Sequence, residues 1–147
     1  MTALNNQNLL QLRFINQANI DLVKPSFDNL PANPYADGEF RKRRYSVIKF
    51  QNGKLKLQAA KAFVQDDSIN TFQGNVERTY ENLEQSLLES DGMKSIVSEF
   101  CQLTGIDEDR DIEIHQFRML AIDSDTPAAP EGVHQDGFDH VCICGVS

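Results

Sequence analysis

The chain has 147 residues, 40% of them hydrophobic and none of them tryptophan, which fits one domain with a real core. Its formal net charge of −8 argues against a general attraction to nucleic-acid phosphates or to an anionic membrane surface, whereas a small zwitterionic substrate stays compatible. No apolar stretch approaches the length that spans a bilayer, and the first residues lack the basic start and apolar block of a signal peptide, so we expect a cytoplasmic protein.

The N-terminal third is predicted to form one helix and one hairpin. A loosely amphipathic pattern predicts the helix over residues 6–19. Alternation predicts two strands, over residues 45–50 and 54–57. Asn52 and Gly53 between them are typical of a hairpin turn, because both residue types accept positive φ.

The middle of the chain is predicted to be helical. Residues 75–89 carry Leu83, Leu87 and other apolar side chains at helical spacing. A second helix is predicted over residues 93–103 and ends at Gly105, a residue type that commonly terminates helices. We expect both helices to serve packing.

The C-terminal part is predicted to contain strands. Ile112 and Ile114 alternate with Phe117 in a long strand over residues 111–121, which predicts a strand with both faces covered. The apolar, partly β-branched run from Phe138 onward predicts a further, buried strand. If no neighbouring strand pairs with this last one, its edge is an apolar surface for self-association.

Three cysteines, Cys101, Cys142 and Cys144, form an odd set without C-x-x-C spacing. This pattern argues against a disulfide framework and against a zinc knuckle. Reduced thiols in a cytoplasmic protein fit the set best.

A His-x-Asp motif, His134-Gln135-Asp136, can present an imidazole and a carboxylate to one metal ion. The facial triad of non-haem Fe(II) oxygenases needs a second histidine besides these two groups. His140 is a poor third ligand, because positions i, i+2 and i+6 of one extended strand spread over roughly 20 Å at about 3.3 Å per residue. The motif by itself thus offers two candidate metal ligands, His134 and Asp136, without a third one nearby.

Other polar residues have a structural interpretation beside a functional one. His115, among apolar neighbours, is expected to be a hydrogen-bonded core residue rather than a metal ligand. The basic run at residues 41–44 is expected to be a solvated edge, or to turn one arginine inward to a carboxylate, rather than to bind nucleic acid. Arg118 is a candidate for a bidentate contact with a substrate or co-substrate carboxylate, and a structural ion pair is the alternative.

Three segments occur in the order and spacing of a known family. They are residues 40–46 with 63–65 after them, residues 113–119, and residues 131–141, which include the His-x-Asp motif. Together they resemble the bacterial family of Fe(II) and 2-oxoglutarate dioxygenases that includes L-isoleucine 4-hydroxylase. The resemblance covers about residues 35–147.

The resemblance implies a fold, two cofactors and a substrate class. The implied fold is α+β, the N-terminal portion of a double-stranded β-helix, or jelly roll, with buttressing helices. Residues 1–147 would be one domain, the first part of an incomplete dioxygenase domain. His134 and Asp136 would be iron ligands, whereas the distal histidine and the basic residue that binds 2-oxoglutarate would lie further on. The implied activity is hydroxylation of a free amino acid or related small molecule, with Fe(II) and 2-oxoglutarate.

Two other function classes stay open. The chain can be a non-catalytic binding module or an inactive fragment of the same fold, which predicts no iron-dependent turnover. It can also be a cupin-type metal enzyme such as an isomerase, although it lacks a cupin's paired histidines.

Overall fold

The computed structural model describes residues 10–35, 40–68, 74–121 and 137–147. Its elements are, in chain order, α1 (Gln17–Val23), a 3-10 turn (Lys24–Phe27), β1 (Arg41–Gln51), β2 (Lys54–Leu57), α2 (Gln85–Glu89), α3 (Asp91–Thr104) and β3 (Ile112–Met119). The described strands form an antiparallel sheet in the order β2-β1-β3. The α+β class expected from the sequence is confirmed at this level.

The predicted hairpin is present. Asn52 and Gly53 have φ values of 51° and 71°, and they join β1 to β2. β1 begins earlier than predicted, at Arg41, because its first half pairs with β3, with Tyr45 opposite His115. That partner is remote in sequence, so local alternation could not define where β1 begins.

The sheet separates two apolar clusters. One cluster lies between the sheet and the helices, and its buried members are Val23, Ile48, Leu83, Leu87, Leu88 and Val97. The other cluster contains the buried side chains of Tyr45, Val47 and Phe63, with Tyr80 packed against them. Alternation along β1 explains the division, since Val47 and Ile48 are neighbours whose side chains point to opposite faces.

Helix α3 agrees with the prediction for residues 93–103. Ser90 caps its start by accepting a hydrogen bond from the Met93 amide at 3.1 Å, and Gly105, with φ 67°, ends it. Near its start α3 packs closely against α1. A Cβ atom on Gly92 would overlap the carbonyl oxygen of Asn19, so this crossing requires glycine.

The helix predicted over residues 6–19 is wrong where it can be compared. Residues 10–16 are not helical, and α1 begins only at Gln17, where the Asn16 side chain accepts a hydrogen bond from the Ala18 amide at 2.9 Å. Three of the apolar residues that produced the pattern are exposed, namely Leu10, Leu12 and Phe14. Among the described residues these side chains therefore pack against no apolar surface. Residues 6–9 of the predicted helix lie outside the described residues.

The helix predicted over residues 75–89 is wrong except at its end. Only Gln85–Glu89 is helical, whereas Arg78 forms a β-bridge with Phe63. Further along, the Tyr45 amide donates to the Glu81 carbonyl at 3.0 Å, and the Leu83 amide donates to Ser46 Oγ at 3.0 Å. The backbone of this segment is hydrogen-bonded to β1 and to Phe63 in the loop after β2. Its backbone groups are therefore not available to a helix.

The strand predicted from Phe138 onward is also wrong. Residues 137–147 contain no strand, and Val141 and Ile143 are exposed to 57% and 91%. Self-association of the protein stays a prediction. The strand over residues 111–121 is confirmed as β3, but Phe117 and Met119 near its end are exposed, so its two faces are covered only in its first part.

Within the described ranges, no helix combines the length and the apolar character needed to cross a membrane.

Candidate functional site

A cleft of about 310 Å³ opens on the side of the sheet that faces away from the helices. Its lining includes Tyr45 of β1 and Glu113 of β3. The loop after β2 contributes Lys61, Phe63, Gln65 and Asp66, and the C-terminal segment contributes Gly137 and Phe138. Several polar groups therefore meet an aromatic wall in one concave site.

The C-terminal wall of the cleft is next in sequence to the His-x-Asp motif, because Gly137 directly follows Asp136. His134 and Asp136, the predicted metal ligands, lie outside the described residues. Among the residues that the structure does describe, no group of three or more His, Cys, Asp or Glu side chains could hold a metal ion. His140, which strand geometry made a poor third ligand, is exposed.

A cationic and aromatic cluster lies beside the cleft. Arg43 Nη2 lies 2.5 Å from His115 Nδ1, and Arg43 Nη1 donates to the Tyr80 hydroxyl at 3.2 Å. The His115 ring centre is 4.7 Å from those of both Tyr45 and Phe63. The expectation that His115 is a hydrogen-bonded core residue is therefore confirmed.

The charge state of His115 follows from these neighbours. Burial, then the positive charges of Arg43 and Arg78, lower the pKa of His115 to about 3. The imidazole is thus neutral near pH 7, and Nδ1 accepts a hydrogen bond from Arg43. A nitrogen engaged in this way is not available to a metal ion.

Arg78 is almost completely buried, with 1% of its surface exposed. Its Nη2 donates to Gln65 Oε1 at 2.8 Å, and its guanidinium carbon is 4.8 Å from the Phe63 ring centre. Gln65 and Phe63 both line the cleft. Arg78 therefore supports the loop that forms one wall, a role that the sequence did not indicate because the residue lay in a predicted helix.

The basic run at the start of β1 divides between the two faces of the sheet. Arg43 turns into the cluster, whereas Arg44 pairs with Glu81 at 2.8 Å and with Glu84 at 3.5 Å. The prediction that one arginine turns to a carboxylate is confirmed for Arg44. The burial of Arg43 was not predicted, since its partners His115 and Tyr80 are distant in sequence.

Tyr45 and Glu113 form the polar end of the cleft. Tyr45 is 3% exposed, and its hydroxyl oxygen has no hydrogen-bond partner at normal geometry among the described residues. Burial, then the charge of the neighbouring Glu113, raises the pKa of this hydroxyl. Lys61 Nζ lies 3.8 Å from Glu113 Oε1 at the same end.

Arg118 lies away from the cleft. It shares the strand parity of Gln116, which bonds Ser26 in the 3-10 turn, and its own Nη1 is 3.4 Å from Asp28 Oδ1. Glu113 and His115 have the opposite parity and face the cleft side. The observed contact is thus the structural ion pair that the sequence analysis gave as the alternative. A contact of Arg118 with a substrate or co-substrate carboxylate stays a prediction.

Comparisons with known proteins give one family and related structures. The family model described as 2OG-Fe dioxygenase matches residues 24–147. Among solved structures, a bsmA homolog from Methylobium petroleophilum PM1 is 26% identical, with a TM-score of 0.60 over 82% of this chain and 52% of that chain. IDO from Bacillus thuringiensis is 19% identical, with a TM-score of 0.49 over 70% of this chain and 45% of that one. The chain spans about half the length of these structures, and no curated protein matches it.

Proposed function

The chain belongs to the 2OG-Fe dioxygenase family, and from this premise we propose that it contributes to an Fe(II)- and 2-oxoglutarate-dependent enzyme that hydroxylates a free amino acid or a related small molecule. His134 and Asp136 are the proposed iron ligands. The observation that carries the proposal is the family match, since its span of residues 24–147 includes both of them. We also propose that the fold is the first part of a jelly roll and that the protein is cytoplasmic.

The donor set suits the metal. A neutral imidazole nitrogen and a carboxylate oxygen are two of the three protein ligands of non-haem Fe(II) oxygenases. Fe(II), 2-oxoglutarate and O₂ would together supply the hydroxylation of an unactivated C–H bond, with one oxygen atom of O₂ going to the substrate and the other to the succinate that forms as 2-oxoglutarate loses CO₂. His115 is not proposed as the second histidine, because its Nδ1 accepts from Arg43 and the neutral ring then carries its proton on Nε2, which leaves neither nitrogen free for a metal.

The described residues bind and orient the substrate in this proposal. The cleft volume of about 310 Å³ is near the lower end of the range of roughly 300–1,000 Å³ for ligand pockets, which favours a small molecule. Phe63 and Phe138 offer apolar contacts, and Tyr45, Gln65 and Glu113 offer polar ones. Gly137, a residue of this lining, directly follows the proposed iron ligand Asp136 in the sequence.

The test measures metal binding and turnover separately. The chain, and any longer product of its gene, is titrated with Mn(II) as a spectroscopic substitute for Fe(II), and succinate formation is then measured with Fe(II), 2-oxoglutarate and pooled amino acids. We expect the His134→Ala and Asp136→Ala variants to lose succinate formation and to bind Mn(II) at least about 10-fold more weakly, because even the loss of a hydrogen-bond partner of a ligand typically weakens metal binding by about that factor. His140→Ala, at an exposed position, is the matched control and should bind as the unaltered chain does.

Unchanged turnover in His134→Ala would refute the assignment of the iron ligands. A folded protein that forms no succinate in any of these preparations would instead favour the non-catalytic binding module.

A further inference from the structure

The Tyr45 hydroxyl is a buried polar group that still lacks a hydrogen-bond partner at normal geometry among the described residues. Leaving such a group unsatisfied costs about 1–3 kcal/mol, so native structures rarely retain one without a reason. Tyr45 lines the cleft, and Glu113 is close enough to raise the pKa of its hydroxyl. A buried hydroxyl and a carboxylate therefore meet at one end of a concave site.

Lys61 provides a second, independent observation. Its ammonium nitrogen lies 3.8 Å from Glu113 Oε1, a distance at which charges attract but no good hydrogen bond forms. The Lys61 side chain is 61% exposed, whereas the Glu113 side chain is only 21% exposed. The carboxylate is therefore fixed in the wall of the cleft, while its cationic partner is a long and well-solvated side chain that another cation can displace.

We propose that Glu113 and Tyr45 bind the ammonium group of a small primary amine in this cleft, with Lys61 occupying that position in its absence. The inference deepens the proposed function and rests on it for the nature of the substrate, which would be an amino acid held by its amino group. The binding site itself rests on the geometry of the cleft.

The remaining polar lining is compatible with a cation. An ammonium group has three donors, and the carboxylate of Glu113, the Tyr45 hydroxyl oxygen and the Gln65 carbonyl oxygen are acceptors in the same lining. Gln65 Oε1 also accepts from Arg78 Nη2 at 2.8 Å, which fixes the amide at the cleft wall. The formal charges of the ionisable lining residues Lys61, Asp66 and Glu113 sum to −1, which also favours a cation.

The two buried arginines make a carboxylate the competing ligand. Arg43 and Arg78 both contact the Phe63 ring, which lines the cleft. Their hydrogen bonds include those of Arg43 with His115 and Tyr80 and that of Arg78 with Gln65. An anionic ligand would be held by these cations together with Lys61, so removal of Lys61 would lower its affinity. The affinity of an ammonium ligand would instead rise, because Lys61 no longer competes for Glu113.

The test uses two simple probes on the ¹⁵N-labelled, metal-free chain. n-Butylammonium and butyrate are titrated at constant ionic strength, and amide shifts of Ala62, Val64 and Gly137 report on the cleft. We expect n-butylammonium to bind and Glu113→Gln to weaken it at least about 10-fold, since hydrogen bonds to charged groups contribute about 1.5–3 kcal/mol. We expect Lys61→Met to strengthen it, and Glu108→Gln, an exposed acid outside the cleft, to change nothing.

Three results would overturn the proposal. One is binding of n-butylammonium that Glu113→Gln leaves unchanged. Another is that butyrate binds instead of n-butylammonium and that the Lys61→Met variant loses this butyrate binding. The third is no shift of the cleft amides with n-butylammonium in either the unaltered chain or Lys61→Met, a change at an exposed side chain that is expected to leave folding normal. His134→Ala should bind n-butylammonium normally, so failure of the iron assignment and failure of the ammonium site are distinguished.

Discussion

Arg43 and His115 lie on adjacent antiparallel strands, and Arg43 Nη2 approaches His115 Nδ1 to 2.5 Å. The contact holds a cation against a neutral ring within an aromatic cluster. Protonation of the ring would remove the acceptor and place two positive charges together, with Arg78 nearby as a third. The neutral form of His115 is therefore part of the folded structure.

This relationship predicts a loss of stability in acid. The pKa of His115 is lowered to about 3 in the folded state, from an ordinary value of 6.5. Between these two pH values the unfolded chain therefore binds a proton at His115 that the folded chain does not bind. The stability that the neutral His115 contributes to the folded state is fully present above pH 6.5 and is lost as the pH falls toward 3. We expect the free energy of unfolding in urea to fall by roughly 2–3 kcal/mol between about pH 7 and pH 4 from this group.

His115→Asn is the matched variant, because an asparagine keeps a side-chain acceptor for Arg43 but does not titrate. Its free energy of unfolding should depend less on pH over the same interval than that of the unaltered chain. An NMR titration of the His115 ring that shows a midpoint near 6.5 would contradict the prediction.

Arg118→Ala distinguishes two roles of one arginine. The ion pair with Asp28 joins side chains that are 49% and 77% exposed, so its loss should change the free energy of unfolding by less than about 0.5 kcal/mol. If the ion pair is the role of Arg118, the KM for 2-oxoglutarate should be unchanged as well, because Arg118 lies on the strand face opposite Glu113. A large rise in that KM with normal stability would instead support the carboxylate contact that the sequence predicted.

Gly92→Ala tests the crossing of α1 and α3. A new Cβ would overlap Asn19 O and lie 2.9 Å from Leu22 Cβ, so the two helices would have to separate. We expect a loss of about 1–3 kcal/mol in the free energy of unfolding, although alanine favours a helix more than glycine does. Urea unfolding at neutral pH measures the loss.

Ser98→Ala, later in α3, controls for helix propensity and should be nearly neutral or stabilising. Equal or greater stability of the Gly92→Ala variant would show that the helices tolerate a wider crossing.

The parts of the fold that the sequence predicted are those that local chemistry determines. The turn at Asn52 and Gly53 requires positive φ, and the end of α3 at Gly105 requires it too, so both could be predicted from residue type. The segment before α2 could not. Its apolar side chains have helical spacing, but its backbone bonds β1 and the loop after β2, which are remote in sequence.

The candidate site shows the same limit. His134 and Asp136 form a recognisable motif, because both residues lie within three consecutive positions. Tyr45 and Glu113 come together only through the pairing of β1 with β3. No pattern within either strand marks them as neighbours, so the polar end of the cleft could be recognised only once that pairing was known.

The pairing of β1 with β3 also constrains the order of folding. Arg43 and His115 are 72 residues apart in sequence, whereas the β1–β2 hairpin closes over a two-residue turn. Contacts between distant residues carry a larger loop-closure entropy and slow folding. During synthesis the hairpin can form early, but β1 cannot acquire its longer partner until Met119 has left the ribosome. Until then Tyr45 and Ile48 have no β3 to pack beside, and the nascent chain exposes apolar surface that chaperones bind.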